Sequence, residues 1–152
     1  FSGAFQNNGI YSPGNSPTLA QLTSFTQGVG GPLQLELGGL LRGTQYDALN
    51  ISGTVNFGGT LSLALVSGFT PASGDSFNLF DWGSASGQFS SINYPSLNPG
   101  LSWDISALYT TGTLSVTGTS AIPEPSTYAA LFGGVALSLA AWRRRNVRTG
   151  KS

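Results

Sequence analysis

A two-residue alternation of apolar and polar side chains, cut short again and again by glycine, constrains this chain more than any other feature. Leu33, Leu35 and Leu37 alternate with Gln34 and Glu36, and Leu61, Leu63 and Leu65 with Ser62 and Ala64. Phe77, Leu79 and Asp81 alternate with Asn78 and Phe80, and Leu114 and Val116 with Ser115 and Thr117. Successive side chains of a strand point to opposite faces, so each run predicts a half-buried strand. Gly30-Gly31, Gly38-Gly39, Gly58-Gly59 and Gly112-Thr113 lie between the runs. Glycine supplies the positive φ of tight turns, so the strands are expected to be short and closely spaced. Residues 30–117 are therefore expected to hold no helix longer than about two turns. Thr18 to Phe25 is the one stretch of the body with any helical spacing.

Two internal echoes suggest stacking. Gly53-Thr54-Val55-Asn56, Gly59-Thr60-Leu61-Ser62 and Gly112-Thr113-Leu114-Ser115 share one form. The runs beginning at Leu33 and Leu61 share another, 28 residues apart. Echoes of this kind suit a β-solenoid, in which each coil buries its apolar face on the next. Pattern alone leaves a β-sandwich equally open, and either way the body is all-β.

Composition removes several chemistries. The 152 residues include no Cys, no His and no Met. A disulfide framework, a thiolate zinc site, a Ser-His-Asp triad and imidazole acid–base catalysis are excluded. No nucleotide motif, phosphate loop or nucleic-acid-reading basic patch is present, and no cofactor is expected. The chain opens on Phe1, so it is read as the C-terminal portion of a longer protein. Net charge is zero, but residues 1–124 carry six acidic and one basic residue, and residues 125–152 five basic and no acidic ones. Such a split points to two segments with different work.

Tyr11-Ser12-Pro13-Gly14-Asn15-Ser16-Pro17, the Leu33–Gly39 strand and turn, and Tyr46-Asp47-Ala48-Leu49-Asn50-Ile51-Ser52-Gly53 resemble bacterial autotransporter-associated β-helix repeats. The similarity extends over residues 9–90, through Gly58-Gly59-Thr60-Leu61 and the Gly68–Phe77 turn and strand. Thr18 stands where those repeats usually have Gly. The resemblance implies a right-handed parallel β-helix with a dry core, over residues 1–117, and no enzymatic activity.

The tail obeys different rules. Residues 118–126 form a linker containing Pro123-Glu124-Pro125, whose prolines keep it extended. Ser126 is a suitable N-cap for an uncharged stretch from Thr127 to Trp142. As a helix those residues would span roughly 24 Å, against about 30 Å of hydrocarbon. Leu131, Phe132, Val135, Leu137 and Leu139 would face lipid, with Tyr128 and Trp142 at the interfaces. Arg143, Arg144 and Arg145 open a basic tail over 143–152 and would halt translocation, leaving the body on the outer side. This order resembles the PEP-CTERM sorting signal of Gram-negative bacteria. The resemblance implies export, retention in the inner membrane, and processing near Pro-Glu-Pro by an exosortase. It also implies delivery to the cell surface or matrix, with exopolysaccharide as a further partner.

Glu124, the single charge of the exposed motif, is the expected recognition residue. Asp47, Asp75, Asp81 and Asp104 match no calcium-loop spacing and are read as turn and surface residues, not a metal site. Asp81 with Asp104 is a weak candidate for an acid pair. Tyr94, Trp103, Tyr109, Phe89 and Trp82 either stack on sugar rings or close the end of the core.

Overall fold

The computed structural model describes residues 3–14 and 17–119, and these contain eleven strands and no helix. In chain order they are β1 (Ala4–Asn7), β2 (Leu19–Leu22), β3 (Ser24–Gln27), β4 (Pro32–Leu37), β5 (Ala48–Phe57), β6 (Thr60–Leu65), β7 (Ser76–Asn78), β8 (Phe80–Gly87), β9 (Ser91–Asn93), β10 (Leu101–Asp104) and β11 (Thr113–Gly118). The body is all-β, as the alternation predicts.

Two sheets are wholly parallel. In the first, β1 pairs with β3, β3 and β2 both pair with β5, and β5 pairs with β8. In the second, β4, β6 and β9 lie side by side in that order. Three strands of the first sheet lead round a short corner into the second: β3 into β4, β5 into β6, β8 into β9. The register stacks like on like. Phe5 lies beside Phe25, Phe25 beside Val55 and Val55 beside Ala85. Leu33 lies beside Leu61 and Leu61 beside Ile92. Leu33, Leu35, Leu37, Leu61, Val55, Leu49 and Ile51 are fully buried between the sheets. A third sheet, antiparallel in the order β10-β11-β7, adjoins the parallel part.

The corners need glycine because neighbouring turns touch there through their backbones. Gly59 has φ 52°, and a Cβ on it would lie 2.1 Å from the Gly28 carbonyl oxygen. Gly87 repeats the arrangement at the next turn, where a Cβ would lie 2.2 Å from the Phe57 carbonyl oxygen. Inside this corner two buried amides are joined by one hydrogen bond and satisfied otherwise by backbone groups. Asn7 Nδ2 donates to Gln27 Oε1 at 2.8 Å, and Gln27 Nε2 donates to the Gly31 carbonyl at 2.7 Å.

Two expectations are corrected. Thr18 to Phe25 carries β2 and the start of β3 rather than helical structure, because both runs take their backbone partners from β5. Phe77 to Asp81 is not one alternating strand. The chain leaves β7 in the antiparallel sheet and enters β8 in the parallel one, with Leu79 as the joint. Leu79 and Phe80 both donate N–H groups to the Gly112 carbonyl, and both side chains are fully buried.

The corner contact sets a testable order of stabilities. Gly68 also has positive φ (70°), but a Cβ there meets nothing within 4 Å. Gly68→Ala is expected to cost about 1–2 kcal/mol, the left-handed backbone penalty alone. Gly59→Ala adds the collision with the Gly28 carbonyl and is expected to cost at least twice as much. Urea unfolding of the two variants measures the difference, and equal costs would refute the corner argument.

Candidate functional site

Four acidic residues of the body are tied into the fold by their carboxylates. Asp47 stands at the entrance to β5, fully buried, and its carboxylate joins three stretches of chain. Oδ1 accepts the Thr18 N–H at 2.7 Å and Oδ2 accepts the Glu36 N–H at 2.9 Å. Backbone bonds run alongside, from Asp47 N–H to the Glu36 carbonyl and from Ala48 N–H to the Thr18 carbonyl, both 2.9 Å. Burial pushes the Asp47 carboxyl above its ordinary value, while the donors at Glu36 and Thr18 pull it down.

Asp81, on β8, forms an ion pair with Arg42 and accepts from Asn78 Nδ2 at 2.9 Å. Arg42 also donates through Nε to the Asn78 carbonyl at 2.9 Å, so the single basic residue of the body clamps the turn after β4 onto the β7–β8 joint. Asp75 closes a turn by accepting the Ala72 N–H at 2.8 Å. Asp104 accepts the Ser106 N–H at 2.9 Å, and its bonds to Ser106 hold its exposed carboxyl below the ordinary value. Among the described residues no three acidic side chains gather as a metal-binding group. Asp81 and Asp104 serve separate strands, each with its own partner.

The aromatic candidates divide. Phe57 is the hub of an end cluster, with Phe80, Trp82, Phe89 and Tyr109 at ring-centroid distances of 5.3, 5.6, 5.1 and 5.5 Å. The Tyr109 hydroxyl accepts the Phe89 N–H at 3.1 Å. These rings close the core beneath β8, which among the described residues pairs with β5 alone. Tyr94 is different: it is 41% exposed and lies nearly parallel to Trp103, at 6.5 Å and 19°. Trp103 spends its indole N–H on the Pro95 carbonyl at 2.9 Å. The buried amide pair Asn7 and Gln27 is not marked by any motif. Its one signal in the sequence is that each immediately precedes a corner, at Asn8-Gly9 and at Gly28.

The residues with the strongest sequence signal, Pro123, Glu124, Pro125, Tyr128, Leu131, Phe132, Val135, Leu137, Leu139, Trp142 and Arg143 to Arg145, lie outside the described residues. Among the described residues no helix is long and apolar enough to cross a membrane. The described fold ends with β11, whose Gly118 carbonyl accepts the Ser73 hydroxyl at 2.6 Å. Comparison with known families identifies the segment beyond it. Residues 121–145 match the PEP-CTERM protein-sorting motif. That span holds Pro123-Glu124-Pro125 and runs to Arg145. The PEP-CTERM motif implies export, membrane anchoring at the C-terminus and processing by an exosortase-type enzyme. No curated protein and no solved structure matches the chain.

Asp47 gives the prediction that tests the described centre. Asn at this position turns an N–H2 group toward one of two backbone donors, at an expected cost of about 1–3 kcal/mol. The pH dependence has a definite sign. An acid whose native pKa is raised takes up its proton in the folded state first. Its unfavourable contribution is full above the native value and is relieved as the pH falls through it. The stability of the wild type relative to Asp47→Asn should therefore rise as the pH is lowered from 7 into the carboxylate range. Urea midpoints at several pH values check this, and a relative stability that falls would contradict the assignment.

Proposed function

We propose that this chain is a non-enzymatic surface or matrix protein, released to its destination by an exosortase-type enzyme that reads Pro123-Glu124-Pro125. The sorting-motif match over residues 121–145 carries the reading. In it the uncharged stretch Thr127–Trp142 is a single transmembrane helix, Arg143 to Arg145 keep the end of the chain cytoplasmic, and the two prolines present Glu124 in extended form. The body is a short parallel β-solenoid carried to the outside of a Gram-negative cell. Its stacked parallel register, with like residues paired from β3 to β5 to β8, supports that description.

A second reading makes the body a carbohydrate- or surface-binding module, or the spacer of a polysaccharide-active enzyme. The exposed Tyr94, backed by Trp103, favours the binding form, since an aromatic face is what a sugar ring stacks on. Exopolysaccharide is then the partner, and a glycan array probed with the exported protein and with Tyr94→Ala separates this reading from a passive matrix role.

Glu124→Gln tests the principal reading. The exchange keeps size and removes the charge. A carboxylate read by a charge-assisted hydrogen bond contributes about 1.5–3 kcal/mol. Loss of that bond lowers processing roughly ten- to a hundredfold, at about 1.4 kcal/mol per decade. The ratio of unprocessed to processed protein is compared between hosts with and without an exosortase. Equal ratios for the wild type in both hosts, or an unchanged ratio for Glu124→Gln and for the Pro123, Pro125 double alanine variant, would reduce the tail to a plain anchor.

A further inference from the structure

Asn8-Gly9 is the one Asn-Gly pair in the chain, and such a pair carries its own chemistry. Glycine has no side chain to shield its nitrogen, so that nitrogen can close on the preceding carboxamide carbon and form a five-membered imide. Both residues are exposed at the corner after β1, and a Cβ built on Gly9 meets nothing within 4 Å. The corner holds the two reacting groups in different ways. The Gly9 N–H donates to Asn7 Oδ1 at 3.1 Å. Asn7 is itself buried, and is anchored by donating Nδ2–H to Gln27 Oε1 at 2.8 Å. Asn8 Oδ1 lies over Gly28, where a Cβ would come within 2.5 Å of it, and accepts Gln6 Nε2 at 3.3 Å. The nucleophile's proton is thus held by a group fixed in the core. The electrophile lies open to solvent, with a donor at the oxygen that gains charge on attack.

We propose that Asn8 is a self-modification site, and that Asn7 is the positioning residue that sets its rate. The Gly9 nitrogen gives its proton to hydroxide and attacks Cγ of Asn8. The bond from Cγ to Nδ2 breaks, and Nδ2 leaves as ammonia with a proton taken from water, which restores the hydroxide. Water then adds to one of the two imide carbonyls. Opening at Cγ gives aspartate, and opening at the main-chain carbonyl gives isoaspartate, whose backbone runs through the former side chain. In sum, a carboxamide and water become a carboxylate and ammonia, with no oxidant or cofactor. The Gly9 N–H must leave Asn7 before it can be deprotonated, so the buried amide slows the reaction without touching the electrophile. Isoaspartate does not fit the corner. A Cβ on Gly30 would lie 2.0 Å from the Asn8 carbonyl oxygen, and one on Gly31 2.5 Å from the Gly9 carbonyl oxygen. A main chain lengthened by one carbon between those two contacts loses its seat on the next turn. Escape of ammonia makes the change one-way, so reacted molecules keep a loosened corner after β1. None of this involves the sorting segment.

The test incubates the 152-residue chain in mildly alkaline buffer. Conversion at each asparagine is followed by peptide mass mapping and by isoaspartyl methyltransferase labelling. Asn8 is expected to convert faster than Asn93, an exposed asparagine followed by tyrosine. Gly9→Ala, which the open space around Gly9 accommodates, should suppress the reaction. Asn7→Leu keeps the size but offers no acceptor, and should speed conversion roughly tenfold, the factor that one hydrogen bond commands. Asn7→Asp is the control for a merely disturbed corner. It loses the same bond to Gln27 but keeps an oxygen for the Gly9 N–H, and should convert at the wild-type rate. Conversion at Asn8 no faster than at Asn93 overturns the site. An unchanged rate in Asn7→Leu, or equal acceleration in Asn7→Asp, overturns the role of Asn7.

Discussion

Backbone contact at the corners is the constraint on which the rest of the body depends. Neighbouring parallel strands stay in register only if the turns that follow them stack as closely as the strands do. The Gly28 carbonyl against Gly59, and the Phe57 carbonyl against Gly87, leave no space for a β-carbon. With the corners so fixed, Leu33 must meet Leu61, and Phe25 must meet Val55. The dry leucine core is thus a result of corner geometry as much as of hydrophobicity. The side chains fill columns whose positions the glycines have already set. Asn7 and Gln27 complete the same corner from within: Asn7 donates to Gln27, and the Gly9 N–H and Gly31 carbonyl supply the partners that water would otherwise provide.

Charge is used sparingly in the body, and its visible contacts are structural. Asp47 is the clearest case: one carboxylate receives N–H groups from the chain entering β2 and from β4, while its own residue begins β5. It ties three successive segments at a point where no strand ladder could reach all of them. Arg42 performs the complementary service on the other side of that turn, through Asp81 and the Asn78 carbonyl. A half-exposed pair of this kind contributes modestly to stability. Its larger effect is to fix where the chain changes from the antiparallel sheet to the parallel one.

Much of this was legible in the sequence, for a physical reason. Alternation reports a half-buried strand directly, and β4, β6 and β11 stand where Leu33–Leu37, Leu61–Leu65 and Leu114–Val116 placed them. The 28-residue echo between Leu33 and Leu61 proved to be a parallel register. Local pattern failed where pairing overrode it. Thr18 to Phe25 has neither clean alternation nor a strong helical face, and only β5 makes it extended. Leu79 and Phe80 are adjacent and both buried because they straddle two sheets, which no single period can encode. The role of Asp47 was hidden for a related reason, since its partners at Thr18 and Glu36 are 29 and 11 residues away. The tail was legible for the opposite reason. Its meaning lies in the linear order of proline, acid, apolar run and arginine, and the sorting-motif match over residues 121–145 rests on that order.

The near-constant spacing of the parallel pairs bears on how such a body is made. Between coils, paired residues of the second sheet are separated by 28 to 31 positions, from Leu33 and Leu61 to Leu61 and Ile92. Each new strand of this sheet finds its template in the strand laid down before it, so order can spread by nearest-neighbour addition. A chain delivered across a membrane from its N-terminus could zip up in step with its own arrival. The antiparallel sheet breaks that rhythm. β7 waits 35 to 39 positions for its partner β11, from Asn78 and Thr113 to Ser76 and Ser115. The joint at Leu79 relies on Gly112, directly ahead of β11, so closure of the core awaits the arrival of the segment that leads into the sorting motif.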